Sequence, residues 1–299
     1  MRTPIPLSAY NTLQNYNNVI KKLRSFFLER NFLEVDTQSR RSILAACEDP
    51  ATVATYTFAG VTWPLPQTGQ MWLEYELLKN PDVPGLFCLT TSYRNEPRPI
   101  PERHLTIFPQ FEFETHGDMN TLQCLIEDLC VYLGFGEKSS FREGDYQSIA
   151  DYYNVKDISA AVETNIQHDF SHVFLLKNFP FYTHPFFNMK KEGDRAKKID
   201  TLLYGMETIG SAERSCNVDE MRELFYTISH GMYSKLLFDL FSRERVEKEL
   251  DEFLSLDFFT RCGGGIGVSR LIRAMTIHQE GPEHSKILST KIPIRQQMV

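Results

Sequence analysis

Three groups of residues in this chain have types and spacings suited to an anionic, phosphate-bearing ligand. The first lies in GLFCLTTSYRNEPRPIPERHLTIFPQFEFE, from Gly85 to Glu114, where Arg94, Glu96, Arg98, Glu102, Arg103 and His104 separate two β-prone runs. Guanidinium groups offer planar, bidentate donors to carboxylate and phosphate, so arginines at the mouth of a strand pair suit an anion. A hairpin with a solvated, charged tip fits these residues equally well. The second group is DTLLYGMETIGSAERS, where Asp200, Glu207 and Arg214 recur at intervals of seven. On extended chain an odd interval puts partners on opposite faces, so this run must bulge or turn, which Gly205 and Gly210 permit. Two carboxylates and an arginine held there would suit a Mg²⁺–nucleotide site, because hard cations take carboxylate oxygens and bridge phosphates; scattered surface charge is the plainer reading. The third group is RCGGGIGVSRLIRAM, a strand, turn and helix in which Gly263 to Gly265, Gly267 and Arg270 let backbone approach a ligand closely. It is not a dinucleotide fingerprint, since no βαβ unit can follow in the remaining residues. Tight strand–helix packing would use the same glycines.

The elements that must position these groups follow from periodicity. Asn11 to Arg30 carries Val19, Ile20, Leu23, Phe26 and Phe27 as a helical stripe that stops before Asn31, and Phe32 to Val35 reads as a short strand. CEDPAT predicts a loop bearing the acidic Glu48, and Tyr56 to Trp63 is aromatic and β-branched enough for a strand. PLPQTGQ leads into the helix MWLEYELL, so Gln67, Thr68 and Gln70 stand where free backbone donors gather, either as ordinary capping residues or as a ligand site. Leu86 to Thr91 and Phe108 to Glu114 predict strands joined by the proline-broken loop, with Glu112 and Glu114 on one face of the second. Asn120 to Leu133 reads as a helix. The mixed stretch after it, with the helical pieces SIADYYNV and ISAAVE, suggests an insertion around 135–170. Val173 to Leu176 predicts a strand, NFPFYTHPFFNMKK an irregular strand containing His184, and Val218 to Leu254 a long helical stretch.

Composition bounds the class. With 299 residues, 42% hydrophobic and 24% charged, the chain is that of an ordinary globular protein with a sizeable core. A net charge of -7 argues against a broad basic face for nucleic acid. Six cysteines with no CxxC pair fit reduced thiols, hence a cytoplasmic protein, rather than a disulfide framework or a zinc site. No signal core or spanning apolar run is present, so no membrane role is expected.

In order, these segments resemble the catalytic domain of the class II aminoacyl-tRNA synthetases, most closely the aspartyl and asparaginyl branch. YRNE…RHLTIFPQFEFE resembles the family's second motif, DTLLYGMETIGSAERS its metal and substrate segment, GGGIGVSRL its third motif and FFLERNFLEVDTQS a degenerate first motif. The resemblance implies one α/β (α+β) domain over 1–299, a mostly antiparallel sheet flanked by helices, with ATP and Mg²⁺ as cofactors. It also implies roles. Arg94 would clamp the α-phosphate and the carboxylate being activated, Arg270 the γ-phosphate, and Phe108 would stack on adenine, with Glu96, Arg103, His104, Gly265 and Gly267 completing the ATP site. Asp200 and Glu207 would carry Mg²⁺. Gln70, Glu112 and Glu48 would receive the substrate ammonium, and Arg214 its side chain, with His184 nearby.

Departures from the family pattern are Gln38 for the first-motif proline that supports the family's homodimer, Ile107 for the acidic residue before the stacking Phe, and Ser269 for the acidic residue before the third-motif arginine. Leu73 stands where aspartyl enzymes carry lysine, which favours a neutral side chain such as an amide, whereas THPFF is more aspartyl-like. The expected substrate is therefore aspartate or asparagine. The predicted helix near Asn11 leaves no room for an N-terminal anticodon-binding barrel, so the preferred acceptor is ammonia or a small amine. Transfer to tRNA or a macromolecular amine is the second expectation, and a non-catalytic amino-acid sensor the third.

Overall fold

The computed structural model describes residues 7, 10–37, 42–45, 50–97, 99–100 and 103–281. Gln38, Glu48, Arg98 and Glu102, singled out from the sequence, lie outside the described residues.

In chain order the elements are α1 (Leu13–Leu28), β1 (Leu33–Glu34), α2 (Ser42–Ala45), β2 (Thr55–Phe58), β3 (Val61–Pro64), α3 (Gln70–Lys79), β4 (Gly85–Tyr93), β5 (Ile107–His116) and α4 (Met119–Leu133). Then follow β6 (Arg142–Asp145), α5 (Tyr146–Tyr152), α6 (Ala160–Asp169), β7 (Val173–Pro180), β8 (Lys191–Glu192), β9 (Arg195–Leu203) and β10 (Glu207–Glu213). The last are α7 (Val218–Thr227), α8 (Met232–Phe241), α9 (Arg243–Leu254), β11 (Arg261–Gly267) and α10 (Val268–Glu280). Among the described residues nine strands form one sheet in the order β1-β4-β5-β11-β10-β9-β7-β6, with β8 beside β9. Only the outermost pairs, β1–β4 and β6–β7, are parallel. This is the mostly antiparallel α/β sheet expected from the sequence.

Alternation in the strands divides the core. Phe111 and Phe113 of β5, Ile266 of β11 and Ile209 of β10 pack beneath α1, α4 and α10. Phe27, fully buried on the α1 stripe, stacks on Phe111 with ring centroids 5.4 Å apart. The opposite face carries α2, α3 and α7 to α9 over Ala196 and Ala212. Segment 135–170 is built into the sheet's end, where β6 extends the sheet beyond β7 and α5 and α6 bury Ile149 and Ile166 against Phe174 and Leu176.

Three expectations change. The strand predicted over Tyr56 to Trp63 is the hairpin β2–β3, turning at Ala59 and Gly60 with φ of 50° and 78°; consecutive positive φ values are what a two-residue hairpin turn requires. The irregular strand through His184 ends at Pro180, and His184 sits in the left-handed region after a 3₁₀ turn. The long helix from Val218 is broken by Ser229, His230 and Gly231, all at positive φ, and again at Ser242.

Candidate active site

Four neighbouring strands lay out the site as rows. Across β5, β11, β10 and β9, Glu112 faces Gly265, which faces Gly210, which faces Asp200. Two consecutive positions in that row are glycines, so the sheet's surface is lowered there. A cavity of about 370 Å³ opens over it, lined by Arg94, Glu96, Arg103, His104, Phe108, Lys198, Glu207, Gly210, Arg214, Gly265, Gly267 and Arg270, and on another wall by Gln70, Met71, Phe186 and Asn188.

The bulge between Glu207 and Ile209 is what turns Glu207 toward this cavity. An ideal Cβ built on Gly210 would stand 3.2 Å from Glu207 Oε1 and 3.6 Å from Asp200 Oδ1, so two carboxylates converge on the space the glycine leaves. This cradle suits a small hard cation that takes its remaining ligands from phosphate and water. Among the described residues no group of three or more histidine, cysteine or acidic side chains could hold a metal alone. Burial would raise the Glu207 carboxyl, but Arg270, Lys198, Arg94 and Arg103 hold it below the usual carboxylate range.

Three of the arginines come from two places, the loop between β4 and β5 and the start of α10. Arg94 follows β4, its N–H donating to Thr106 O (2.8 Å) and its guanidinium carbon 5.4 Å from the Phe108 ring centroid. Arg270, one turn into α10, donates to Glu207 O (2.7 Å) and lies 3.6 Å from its Oε2. Arg103 is paired with Glu163 of α6 and donates to Gly205 O (3.4 Å). Glu163 also accepts from the Glu207 N–H at 3.2 Å, so α6 fixes the strand that carries Glu207. In the same loop, Glu96 and His104 Nδ1 are 2.7 Å apart.

Arg214 is buried and delivers Nε and Nη2 to the two oxygens of Glu114, each at 3.0 Å. Burial pushes the Glu114 carboxyl up, and the guanidinium draws it back. A Cβ on Gly263 would overlap that carboxylate, so the glycine run makes room for the pair. With its amide oriented to satisfy both neighbours, Gln70 Oε1 accepts from Arg214 Nη2 (2.7 Å) and from the Gly264 N–H (2.9 Å). A second buried pair, Arg261 with Glu74, ties β11 to α3, and Asn188 Nδ2 donates to the same glutamate.

The structure brings Arg94, Glu96, Arg103, His104, Phe108, Glu207, Arg214, Gln70, Gly265, Gly267 and Arg270 to one cavity, with Asp200 at its floor. It does not bring Glu112, Leu73 or His184 to the lining. Glu112 is buried beneath it, accepting from Thr68, from Thr90 Oγ1 (2.7 Å) and from the Gly69 N–H (2.7 Å), so it anchors the start of α3. Leu73 is fully buried with Leu77, Leu86 and Cys88. His184 packs on His230, ring centroids 5.1 Å apart. Sequence reasoning missed Lys198, Glu163 and Asn188. Lys198 had a signal, being two residues from Asp200 on one strand and hence on its face; Glu163 arrives from α6, and no local pattern marks it.

A model of the tRNA synthetases class II (D, K and N) matches residues 7–280. No curated protein matches the chain by sequence. Among solved structures, the asparaginyl-tRNA synthetase from Pyrococcus horikoshii complexed with asparaginyl-adenylate is similar at a TM-score of 0.72 and 20% identity, covering 90% of this chain and 65% of that one. The Entamoeba histolytica asparaginyl-tRNA synthetase in complex with asparaginyl-adenylate is similar at a TM-score of 0.68 and 18% identity, covering 96% of this chain and 68% of that one. The chain thus spans about two thirds of the length of these structures. Since the family model runs through the helix α1, every cavity strand and α10, the chain belongs to the class II tRNA synthetases of the D, K and N group.

Proposed function

We propose that this chain is an ATP-dependent ligase that activates aspartate or asparagine as an aminoacyl adenylate with release of pyrophosphate, and passes the acyl group to ammonia or a small amine. One observation carries the reading: Arg94, Arg270, Phe108 and Glu207, from a loop, a helix and two strands, line a single cavity over a glycine floor.

The chemistry is in-line attack of the substrate carboxylate on the α-phosphate, and it needs positioning and charge neutralisation rather than a side-chain nucleophile. Arg94 holds the attacking carboxylate and the α-phosphate, which together develop charge in the transition state. Phe108, beside the Arg94 guanidinium, offers its face to adenine, and Arg270, Arg103 and His104 receive the outer phosphates. Asp200 and Glu207 would hold Mg²⁺, which would supply further neutralisation of the phosphate oxygens. Arg214, Gln70 and Asn188 stand where a four-carbon side chain would end. Because Glu114 already matches the Arg214 charge, a neutral amide suits this end better than a second carboxylate. Transfer to tRNA or a macromolecular amine is the alternative acceptor, and the homodimer expected from the resemblance is proposed alongside.

Amino-acid-dependent ATP–pyrophosphate exchange tests the reading. Exchange with asparagine or aspartate is expected, falling at least about 10²-fold in Arg94→Ala and Arg270→Ala, the scale for losing a preorganised charge partner. Ammonia-dependent AMP release then identifies the acceptor. Absence of exchange with all twenty amino acids, together with absence of ATP binding, would replace the enzyme with a sensor.

A further inference from the structure

The candidate metal cradle is bordered by a cation. Lys198 and Asp200 lie two apart on β9 and so project from the same face of the sheet, and Lys198 Nζ stands 3.3 Å from Asp200 Oδ2. The other oxygen of Asp200, Oδ1, is the one directed at the space over Gly210, which it shares with Glu207 Oε1. The Lys198 side chain is only 14% exposed, its ammonium lies 4.5 Å from the Phe179 ring centroid, and the residue lines the cavity. A partly desolvated ammonium held by a carboxylate on one side and a ring face on the other has lost most of its freedom to swing into solvent.

Resting on the adenylation reading, we propose that Lys198 is a ligand-contacting residue of the nucleotide site, a resident cation that shares Asp200 with the incoming divalent ion and supplies part of the charge neutralisation otherwise left to that ion. Two consequences follow from charge balance. Asp200 and Glu207 face Lys198 and Arg270, the latter 3.6 Å from Glu207 Oε2, so the cluster carries no net charge where without Lys198 it would carry one negative charge, and the nucleotide-free protein attracts a divalent cation weakly. The same ammonium remains available to phosphate oxygens when no divalent ion is present, so ATP binding survives chelation to a degree that the carboxylate pair alone would not allow.

The test compares wild type, Lys198→Gln and Lys198→Arg. Mn²⁺ binding to the nucleotide-free protein is followed by electron paramagnetic resonance, and ATP binding by calorimetry with Mg²⁺ and with EDTA. Wild type is expected to bind Mn²⁺ weakly and to lose about tenfold or less in ATP affinity on chelation. Lys198→Gln is expected to bind Mn²⁺ about tenfold more tightly and to lose at least about tenfold further in metal-free ATP affinity, the range of a charge-assisted hydrogen bond. Lys198→Arg should keep the wild-type pattern in both measurements, which a merely structural role for the residue would not produce. Equal Mn²⁺ affinity in wild type and Lys198→Gln, or ATP binding abolished by EDTA in wild type, would overturn the proposal. If wild type bound no ATP even with Mg²⁺, the adenylation reading would fail and this nucleotide-site role with it, whereas equal Mn²⁺ affinities beside normal ATP binding would sink the lysine's role alone.

Discussion

Gly263 has no space for a methyl group, whereas Gly267, four residues on, has ample space. A Cβ at Gly263 would overlap the Glu114 carboxylate, while one at Gly267 would come no closer than 3.6 Å to its nearest neighbour, the Arg270 side chain. Gly263→Ala is therefore expected to cost about 1–3 kcal/mol by overpacking, and Gly267→Ala about 0.5 kcal/mol or less, as read from denaturant midpoints. Glu112 makes a second prediction at this scale. Burial raises its carboxyl above the usual value, against the lowering by Thr68, Thr90 and the Gly69 N–H. A raised carboxyl binds its proton more tightly in the folded than in the unfolded state, so its contribution to stability declines as pH climbs from the unfolded carboxylate value toward the raised one, and is constant beyond it. Urea titrations across that acidic window should show this decline in the wild type and a flatter profile in Glu112→Gln. Equal slopes would mean that the three donors fully compensate for burial.

Between elements, the tie that sets α3 against the sheet is the fully buried Arg261–Glu74 pair, with Arg261 Nη1 also donating to Ser215 O (3.2 Å) and Phe259 O (3.1 Å). Removing one partner of such a pair strands the other charge, so Glu74→Gln is expected to cost about 3–5 kcal/mol, visible as a large fall in the thermal midpoint. Neither residue stood out in the sequence, because a helix and a strand 187 positions apart carry no shared local pattern. What was legible was local. The α1 stripe, the β4–loop–β5 unit with its prolines, the bulge or turn that the seven-residue spacing demanded and the glycine strand leading into α10 all follow from periodicity or backbone chemistry. Glu112 and Glu114 were correctly placed on one face of β5, yet the face alone did not distinguish a side chain that lines the cavity from one consumed beneath it. The β2–β3 turn was missed because Ala59 carries a positive φ that its residue type does not advertise, and the break after α7 because Ser229 and His230 do the same.

For the whole molecule, the decisive quantity is charge. The chain carries 39 acidic against 32 basic residues, net -7, yet among the described residues Arg94, Arg103, Lys198, Arg214 and Arg270 line one cavity whose acidic lining is Glu96 and Glu207, with Asp200 at its floor. At physiological salt the screening length is about 8 Å, so this positive interior would attract a nucleotide that enters it and do little for a polyanion lying across the outside. Affinity for tRNA rests on neutralising many phosphates at once, with release of their counterions, and a net-negative chain opposes that. Fluorescence anisotropy with labelled tRNA at ~0.15 M salt is therefore expected to show no saturable binding below the micromolar range typical of non-specific association, while ATP binding measured in the same buffer persists. If saturable tRNA binding at nanomolar concentrations appeared instead, a local basic surface would have to outweigh the net charge, and the acceptor in the proposed reaction would shift from ammonia to RNA.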